Sequence, residues 1–225
     1  MTFGNQGGPV HEKRKVGRPA MITLDQIADA AILELDGITS TKVAERLGVG
    51  QSSLYRHITR SDDLARLAVD KALDAHQWPA KEGAWRDFLE RTADAFLDFL
   101  TQYPGSCRAL LELNPSPTAL VNIATITAEY VVKQGLSPRE ANVAVNLISV
   151  ICLDTVDRLD KNEQPMPDGQ GKMIAAQQRK WESQANHELR EDMQQLLHAK
   201  ARTWMHERFD IVLDGLAGRL EKRAV

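Results

Sequence analysis

An all-α chain is what this sequence predicts, and three observations carry the expectation. Apolar residues recur three and four positions apart in segment after segment, as in Ile27, Ala28, Ala31, Ile32 and Leu35. Two segments open on a Ser/Thr-x-x-Glu/Gln sequence, Thr23-Leu-Asp-Gln26 and Ser137-Pro-Arg-Glu140, in which each side chain satisfies the other residue's backbone amide at a helix start. Alternating apolar and polar runs between turn signals, which would mark strands, are absent. At 225 residues and 43% hydrophobic, the chain is long enough for one large or two small cores and too apolar for disorder. Gly (14) and Pro (9) stand near ordinary usage, so collagen-like, low-complexity and solenoid classes have no support.

Taken in order, Thr23 caps a first helix that Asp36-Gly37 ends. Thr39 or Ser40 caps a second, carrying Val43, Ala44 and Leu47. It stops at Gly48-Val49-Gly50, and a third begins near Gln51 with Leu54, Tyr55 and Ile58. Small Ala44 permits close approach and Val49 fills the angle, which is the helix-turn-helix pattern. Ser61-Asp-Asp caps a fourth helix that runs to about Gln77, with acids in the first turn where the macrodipole favours them. Beyond Pro79 the spacing predicts helices over residues 85–102, 105–113, 117–134, 137–159 and 202–220. Residues 160–172, rich in Asp, Asn, Gly and Pro, read as a loop. Residues 173–199 read as helical with a sparse apolar stripe, lying on the surface or across a partner.

Charge divides the chain unevenly. Through Ser61 there are eight Lys/Arg against six Asp/Glu, a net of +2, whereas the remainder holds 20 against 25, a net of −5. The positive charge gathers at Lys13, Arg14, Lys15 and Arg18, then at Lys42, Arg46, Arg56 and Arg60, a local basic footprint on an acidic body. No apolar stretch approaches 18 residues and the first ten are polar and Gly-rich, so neither a transmembrane helix nor a secretory signal is expected, and the chain is expected in the cytoplasm. Cys107 and Cys152 sit in apolar surroundings, as buried thiols rather than a disulfide or zinc site.

Thr23 to Leu73 resembles the DNA-binding domain of the TetR family of transcriptional regulators, above all through Ser40-Thr-Lys-Val-Ala-Glu-Arg-Leu-Gly-Val-Gly-Gln-Ser-Ser-Leu-Tyr-Arg-His-Ile58 and Ser61-Asp-Asp-Leu64. Gly135-Leu-Ser-Pro-Arg-Glu-Ala141 and residues 209–220 are similar to the rear of tetracycline-repressor-like ligand domains. Two departures stand out: the first helix is about a turn short of the family's, and the lysine often found before the fourth helix is Ser61, with Arg60 placed to take over its phosphate contact. The resemblance implies a flexible basic arm (residues 1–20), a helix-turn-helix unit (21–68) and a helical regulatory, ligand-binding and dimerisation unit (69–225). It further implies a homodimer through the helices over 137–159 and 202–220, a double-stranded operator and a small organic effector, with no cofactor.

The residues support that reading on their own chemistry. Gln51, Ser52, Ser53, Tyr55 and Arg56 fill the first turn and a half of the third helix, the part that enters a major groove. Arg reads guanine, Gln reads adenine and Ser serves either, while Tyr55, His57 and the hydroxyls of Thr39, Ser40 and Thr41 suit phosphate. For Tyr55 the competing reading is packing against the first helix. The Lys13-Arg-Lys-Val-Gly-Arg-Pro19 arm resembles a minor-groove reader, against the plainer reading of a solubilising tail.

The C-terminal part offers no catalytic set and no metal set. His187, His198 and His206 lack the one-turn spacing of a helical zinc motif, and Asp154 and Asp157 near Arg158 read as a helix-end charge pattern. The helix over 85–102 is apolar nearly all round, so a cavity is expected beside it. Trp85, Phe88, Phe99 and Tyr103 are candidates for its wall, and Asn122, Thr125, Asn142, Asn146 and Ser149 for its polar contacts. Asn142, Asn146 and Ser149 share one face at i, i+4 and i+7, and line that pocket, sit in a subunit seam or face solvent, the last ranked lowest because the helix's other residues leave little room for exposure. The rivals are a dimeric DNA-binding protein without a ligand and an enzyme on the helical scaffold.

Overall fold

The computed structural model describes residues 22–167, 171–184 and 186–224; the basic arm therefore lies outside the described residues. Eleven helices are found among them: α1 (Leu24–Ile32), α2 (Ser40–Leu47), α3 (Gln51–Leu54), α4 (Asp62–Ala75), α5 (Trp85–Gln102), α6 (Ser106–Glu112), α7 (Thr118–Lys133), α8 (Pro138–Glu163), α9 (Met173–Gln184), α10 (His187–His198) and α11 (Ala201–Ala224). The described residues contain no strand, only a single bridge between Pro165 and Lys172.

Both expected capping boxes form. Thr23 Oγ1 accepts from the Gln26 amide at 3.2 Å and Gln26 Oε1 from the Thr23 amide at 2.9 Å; Ser137 and Glu140 do the same at 3.3 and 2.9 Å. Helix α1 ends sooner than Asp36-Gly37. The Glu34 and Leu35 amides reach back only three residues, to Ala31 and Ile32, and this tightening leaves Leu35 buried at 4% exposure. Thr39, not Ser40, caps α2, accepting from the Lys42 amide at 3.2 Å.

The expected cap at Ser61 is corrected. Ser61 has helical angles and its hydroxyl makes no capping bond. Instead Asp63 Oδ2 accepts from the Thr59 and Arg60 amides, both at 2.8 Å, and those two bonds hold the Asp63 carboxyl below its usual range. A carboxylate satisfies two orphan donors where one hydroxyl satisfies one.

Helix α4 ties the two ends of the chain's architecture. Lys71 Nζ bridges Asp25 and Asp29 of α1 at 2.6 and 2.5 Å. On its other side Arg66 donates to the Pro115 carbonyl at 2.8 Å, and Asp70 Oδ1 accepts from the Ala119 amide at 2.8 Å. Pro117 at the start of α7 makes no side-chain cap, so a residue of α4 caps α7 across 49 positions. A boundary between residues 68 and 69 falls inside α4, which both units share. They touch again at Gly105, between α5 and α6, where φ is +86° and an added Cβ would lie 2.5 Å from the Leu35 carbonyl oxygen.

In the C-terminal unit α5 is central, burying Phe88, Leu89, Thr92, Ala93, Phe96, Leu97, Phe99 and Leu100 against α7, α8 and α11. Helix α8 runs to Glu163, past the expected end near Leu159, with Lys161 paired to Asp157 at 2.6 Å in its last turns. The stretch expected as one helix over 173–199 is two. Asn186 Oδ1 accepts from the Leu189 amide at 3.0 Å and starts α10 afresh, because asparagine satisfies a helix start better than a helix interior.

Helix α11 is seamed to α5 by charge: Arg86 reaches Asp210 at 3.2 Å and Asp214 at 2.6 Å, and Arg202 pairs with Asp94 and with Asp98. It is held to α8 by Arg208 to Asp154 at 2.5 Å and Arg223 to Glu140 at 2.6 Å. The Ser137 hydroxyl and amide, then Arg223, push the Glu140 pKa down to about 2. An unfolded Glu titrates near ~4.3, so the folded state binds this proton later than the unfolded one. The stabilisation is present above that value and is lost as pH falls towards 2. Glu140→Gln keeps a capping side chain but loses the charge, so chemical denaturation at pH 6 should find it less stable than the parent, with the gap closing as pH falls below about 4.

Candidate nucleic-acid interface and effector cavity

The turn between α2 and α3 begins at Gly48, where φ is +65°; its amide bonds to the Glu45 carbonyl at 3.0 Å and that of Val49 to Ala44 at 3.0 Å. Glycine takes this left-handed conformation without the ~1–2 kcal/mol cost to an L-residue. The chain then re-enters as α3, with Leu54 fully buried and Ile58 at 6% exposure. Regular helix covers only Gln51–Leu54, shorter than the turn and a half expected. Tyr55, Arg56 and His57 continue it as turns, with the His57 and Ile58 amides both on the Leu54 carbonyl at 2.8 and 3.1 Å. That shared acceptor breaks the regular ladder but keeps the chain coiling in the same sense.

One face collects most of the residues that sequence singled out. Gln51 Nε2 donates to Thr41 Oγ1, and the Tyr55 hydroxyl stands 3.4 Å from Ser40 Oγ, so α3 and the start of α2 form one polar surface. Thr39, Thr41, Gln51, Ser52, Tyr55 and Arg56 are exposed, and Ser40, Ser53 and His57 are half-buried. Tyr55 is 47% exposed, which disfavours packing against α1 as its role. The basic footprint is thinner than the count of charges implies. Arg46 is paired to Glu34 at 2.5 Å, Arg60 to Asp62 at 3.1 Å, and Lys42 donates to the Gly37 carbonyl at 3.0 Å. Arg56 has no ion pair or hydrogen bond among the described residues, which leaves its guanidinium available on this face. Arg60 is held only by an exposed pair, of the kind worth ~0–1 kcal/mol and readily exchanged for a phosphate.

The ligand candidates scatter. Phe99 is fully buried in an aromatic cluster with His76, Phe96 and Tyr103, and Phe88 packs on Tyr130 with ring centroids 4.5 Å apart. Trp85 and Tyr103 are half-buried against the core. These four fill space rather than wall it. A small, half-open void of about 20 Å³ lies among Trp78, Thr92, Phe96, Thr127, Ile148 and Ser149, and of the nine candidates only Ser149 borders it. Thr125 and Asn142 line an open groove between α7 and α8, while Asn122 and Asn146 are exposed. The polar face on α8 therefore splits: Ser149 turns inward and Asn142 and Asn146 turn out.

Sequence reasoning missed Asp63, Asp70 and Lys71, whose partners reveal their roles; only Asp63, four residues from the amide it caps, left a local signal. The cysteines are buried as expected, and burial pushes Cys107 up to about 11 and Cys152 to about 12. Among the described residues no three His, Cys, Asp or Glu converge as metal ligands, and no helix is long and apolar enough to cross a membrane.

A helix-turn-helix unit joined through a shared helix to a larger helical unit is the fold of TetR-family regulators. The chain matches the Streptomyces coelicolor TetR-family protein ActR, solved in complex with actinorhodin, with a TM-score of 0.69 and 18% identity over 89% of this chain and 98% of that one. It also matches a TetR variant from Acinetobacter baumannii, solved in complex with minocycline, with a TM-score of 0.59, 18% identity and coverage of 88% of this chain and 98% of that one. No family model matches the chain. In sequence it is 27% identical over 145 residues to the class D tetracycline repressor protein of Escherichia coli, a match covering 61% of this chain and 66% of that one, just under two thirds. It is 32% identical over 107 residues to the repressor DrrR1 of Streptomyces coeruleorubidus, covering 44% and 38%. The chain thus has the fold of TetR-family regulators and is similar in sequence, over part of its length, to tetracycline repressors.

Proposed function

We propose that this chain is a two-fold dimer that represses transcription from a near-palindromic operator and is released by a small, mostly apolar organic effector. The observation that carries the reading is the single exposed surface formed by Thr39 to Thr41 with Gln51, Ser52, Tyr55 and the unpaired Arg56, positioned by a glycine turn over a buried Leu54. One such surface reads only a few base pairs, so specificity needs two, placed about 34 to 36 Å apart or a multiple of that. The arm over residues 1–20 adds minor-groove contact beside it.

Antiparallel α8 and α11 support the dimer. The Glu140–Arg223 and Asp154–Arg208 pairs set their register and bring Val150 and Ile211 to about the same level, 51% and 75% exposed, with Val143 at 48% nearby. An added Cβ at Gly215 or Gly218 would meet nothing within 4 Å, so this strip leaves room for a second copy's helices.

Effector release is supported by the complexes of ActR with actinorhodin and of the A. baumannii protein with minocycline. A void of about 20 Å³ holds about one water, so the effector binds by moving α7 away from α5 and α8 and selects a rarer, opened state. Such a movement pulls on Asp70 and hence on α4, the helix that carries the DNA-binding unit. The same small void favours a second reading, a dimeric DNA-binding protein with no ligand. The two separate in one experiment: selection of duplexes from random DNA, followed by competition of the complex with a panel of apolar organic compounds. Release by any compound, with the coupling of ~1–3 kcal/mol usual for linked sites, supports the effector; release by none supports the second reading. Ser149→Phe, which fills the void, should abolish release while operator affinity stays within about threefold of the parent, as read by the same competition.

A further inference from the structure

Arg158 is the charged side chain whose surroundings fit least well with sequence expectation. The helix-end pattern pairs it with Asp154 or Asp157, but Asp154 is taken by Arg208 at 2.5 Å and Asp157 by Lys161 at 2.6 Å. Arg158 makes no hydrogen bond or ion pair among the described residues. Its guanidinium lies 4.9 Å from the centroid of the Trp204 ring, and that of Arg208 lies 5.0 Å from the same centroid. The Nε atoms of Arg158 and Arg208 and Nε1 of Trp204 are all buried without an acceptor. The cluster thus holds two cations and three orphaned donors, and only one of its cations has a carboxylate.

A guanidinium held over an indole by a cation–π contact is partly ordered in advance, and its terminal fork matches the two oxygens of a carboxylate. The terminal nitrogens of Arg158 are not among the buried orphans, so the fork is not sealed in as its Nε is. Burial, then the Arg208 charge, works against the Arg158 cation while Asp154 favours it, and an incoming anion would offset the repulsion from Arg208. Asp154 is paired to Arg208 at 2.5 Å, which lessens its repulsion of such an anion.

We propose that Arg158, held over Trp204 and backed by Arg208 at the α8–α11 seam, is a carboxylate-binding site separate from the void beside Ser149. The carboxylate comes either from a small organic acid or from an Asp or Glu of a second copy of this chain, since both offer the same pair of oxygens. The test uses the full chain and reads Trp204 emission, defined as the part lost in Trp204→Phe. Titration with sodium acetate against sodium chloride at equal ionic strength should give a saturable change specific to acetate. Arg158→Gln should abolish it, and Arg158→Lys, which keeps the charge and loses the fork, should weaken it by about tenfold, equivalent to ~1.4 kcal/mol. If acetate has no effect but dilution through the dimer's dissociation range changes Trp204 emission in the parent and not in Arg158→Gln, the second copy supplies the carboxylate. If neither titration nor dilution distinguishes the parent from Arg158→Gln, there is no such site and Arg158 is a structural cation.

Discussion

Arg56→Ala is expected to lose about 1–3 kcal/mol in each half-site, hence ~2–6 kcal/mol per dimer, roughly 30-fold to 10⁴-fold in operator affinity. The basis is its position: it lies two residues past the end of α3 in the turn that continues it, is exposed, and has no partner among the described residues to restrain it. Gln51→Ala belongs to the same surface but also breaks the bond to Thr41, so its loss combines readout with a loosened α2–α3 contact. Base reading predicts that Arg56→Ala changes the recovered consensus at one position per half-site, as measured by repeated selection. Removal of residues 1–20 should instead weaken A·T-flanked sites and lessen the salt dependence by about 0.9 in slope for each phosphate no longer contacted. An unaltered consensus in Arg56→Ala would move the source of specificity to operator shape.

Gly105→Ala is expected to have the largest effect on the folded state. Its φ of +86° is costly for an L-residue, and the new Cβ would lie 2.5 Å from the Leu35 carbonyl oxygen and 2.6 Å from the Asp36 nitrogen, backbone atoms with no flexible side chain to yield. The conformational part is ~1–3 kcal/mol, and relief of the overlap requires the α5–α6 turn to withdraw from the α1–α2 loop. Gly48→Ala is the control: its φ is +65° but nothing lies within 4 Å, so it carries the conformational cost alone. Thermal unfolding at one protein concentration should show Gly105→Ala melting below Gly48→Ala, at roughly 2–4 °C per kcal/mol for a chain of this size. Equal melting temperatures would mean that the contact between the two units yields freely. They would then be coupled chiefly through α4.

What could be read from the sequence was what the sequence encodes locally. The boxes at Thr23–Gln26 and Ser137–Glu140 join residues three apart, and the helix over 85–102 follows from its own apolar spacing; all three stand as expected. The errors arose where a distant or competing group decided the outcome. Ser61 lost its cap to Asp63, and Asn186 divided a stretch whose propensity is helical throughout. The Asp70 cap on α7 and the Gly105 approach to Leu35 join residues far apart in sequence, so no spacing rule shows them. The shared polar surface of α2 and α3, proposed to face DNA, was legible because it is built from polar side chains at two adjacent helix starts. The ligand set was not, because aromatic residues at helical spacing serve core and cavity alike, and Phe88 and Phe99 became core.

The central claim is that two copies of this chain read one operator, each through the surface at Gln51 to Arg56. Sedimentation of the full chain on the duplex recovered by selection tests it most directly. The account predicts two chains per duplex and two inverted half-sites whose centres lie about 10 to 10.5 base pairs, or a multiple of that, apart. A single chain bound per duplex, or a selection that returns no inverted repeat, would contradict it.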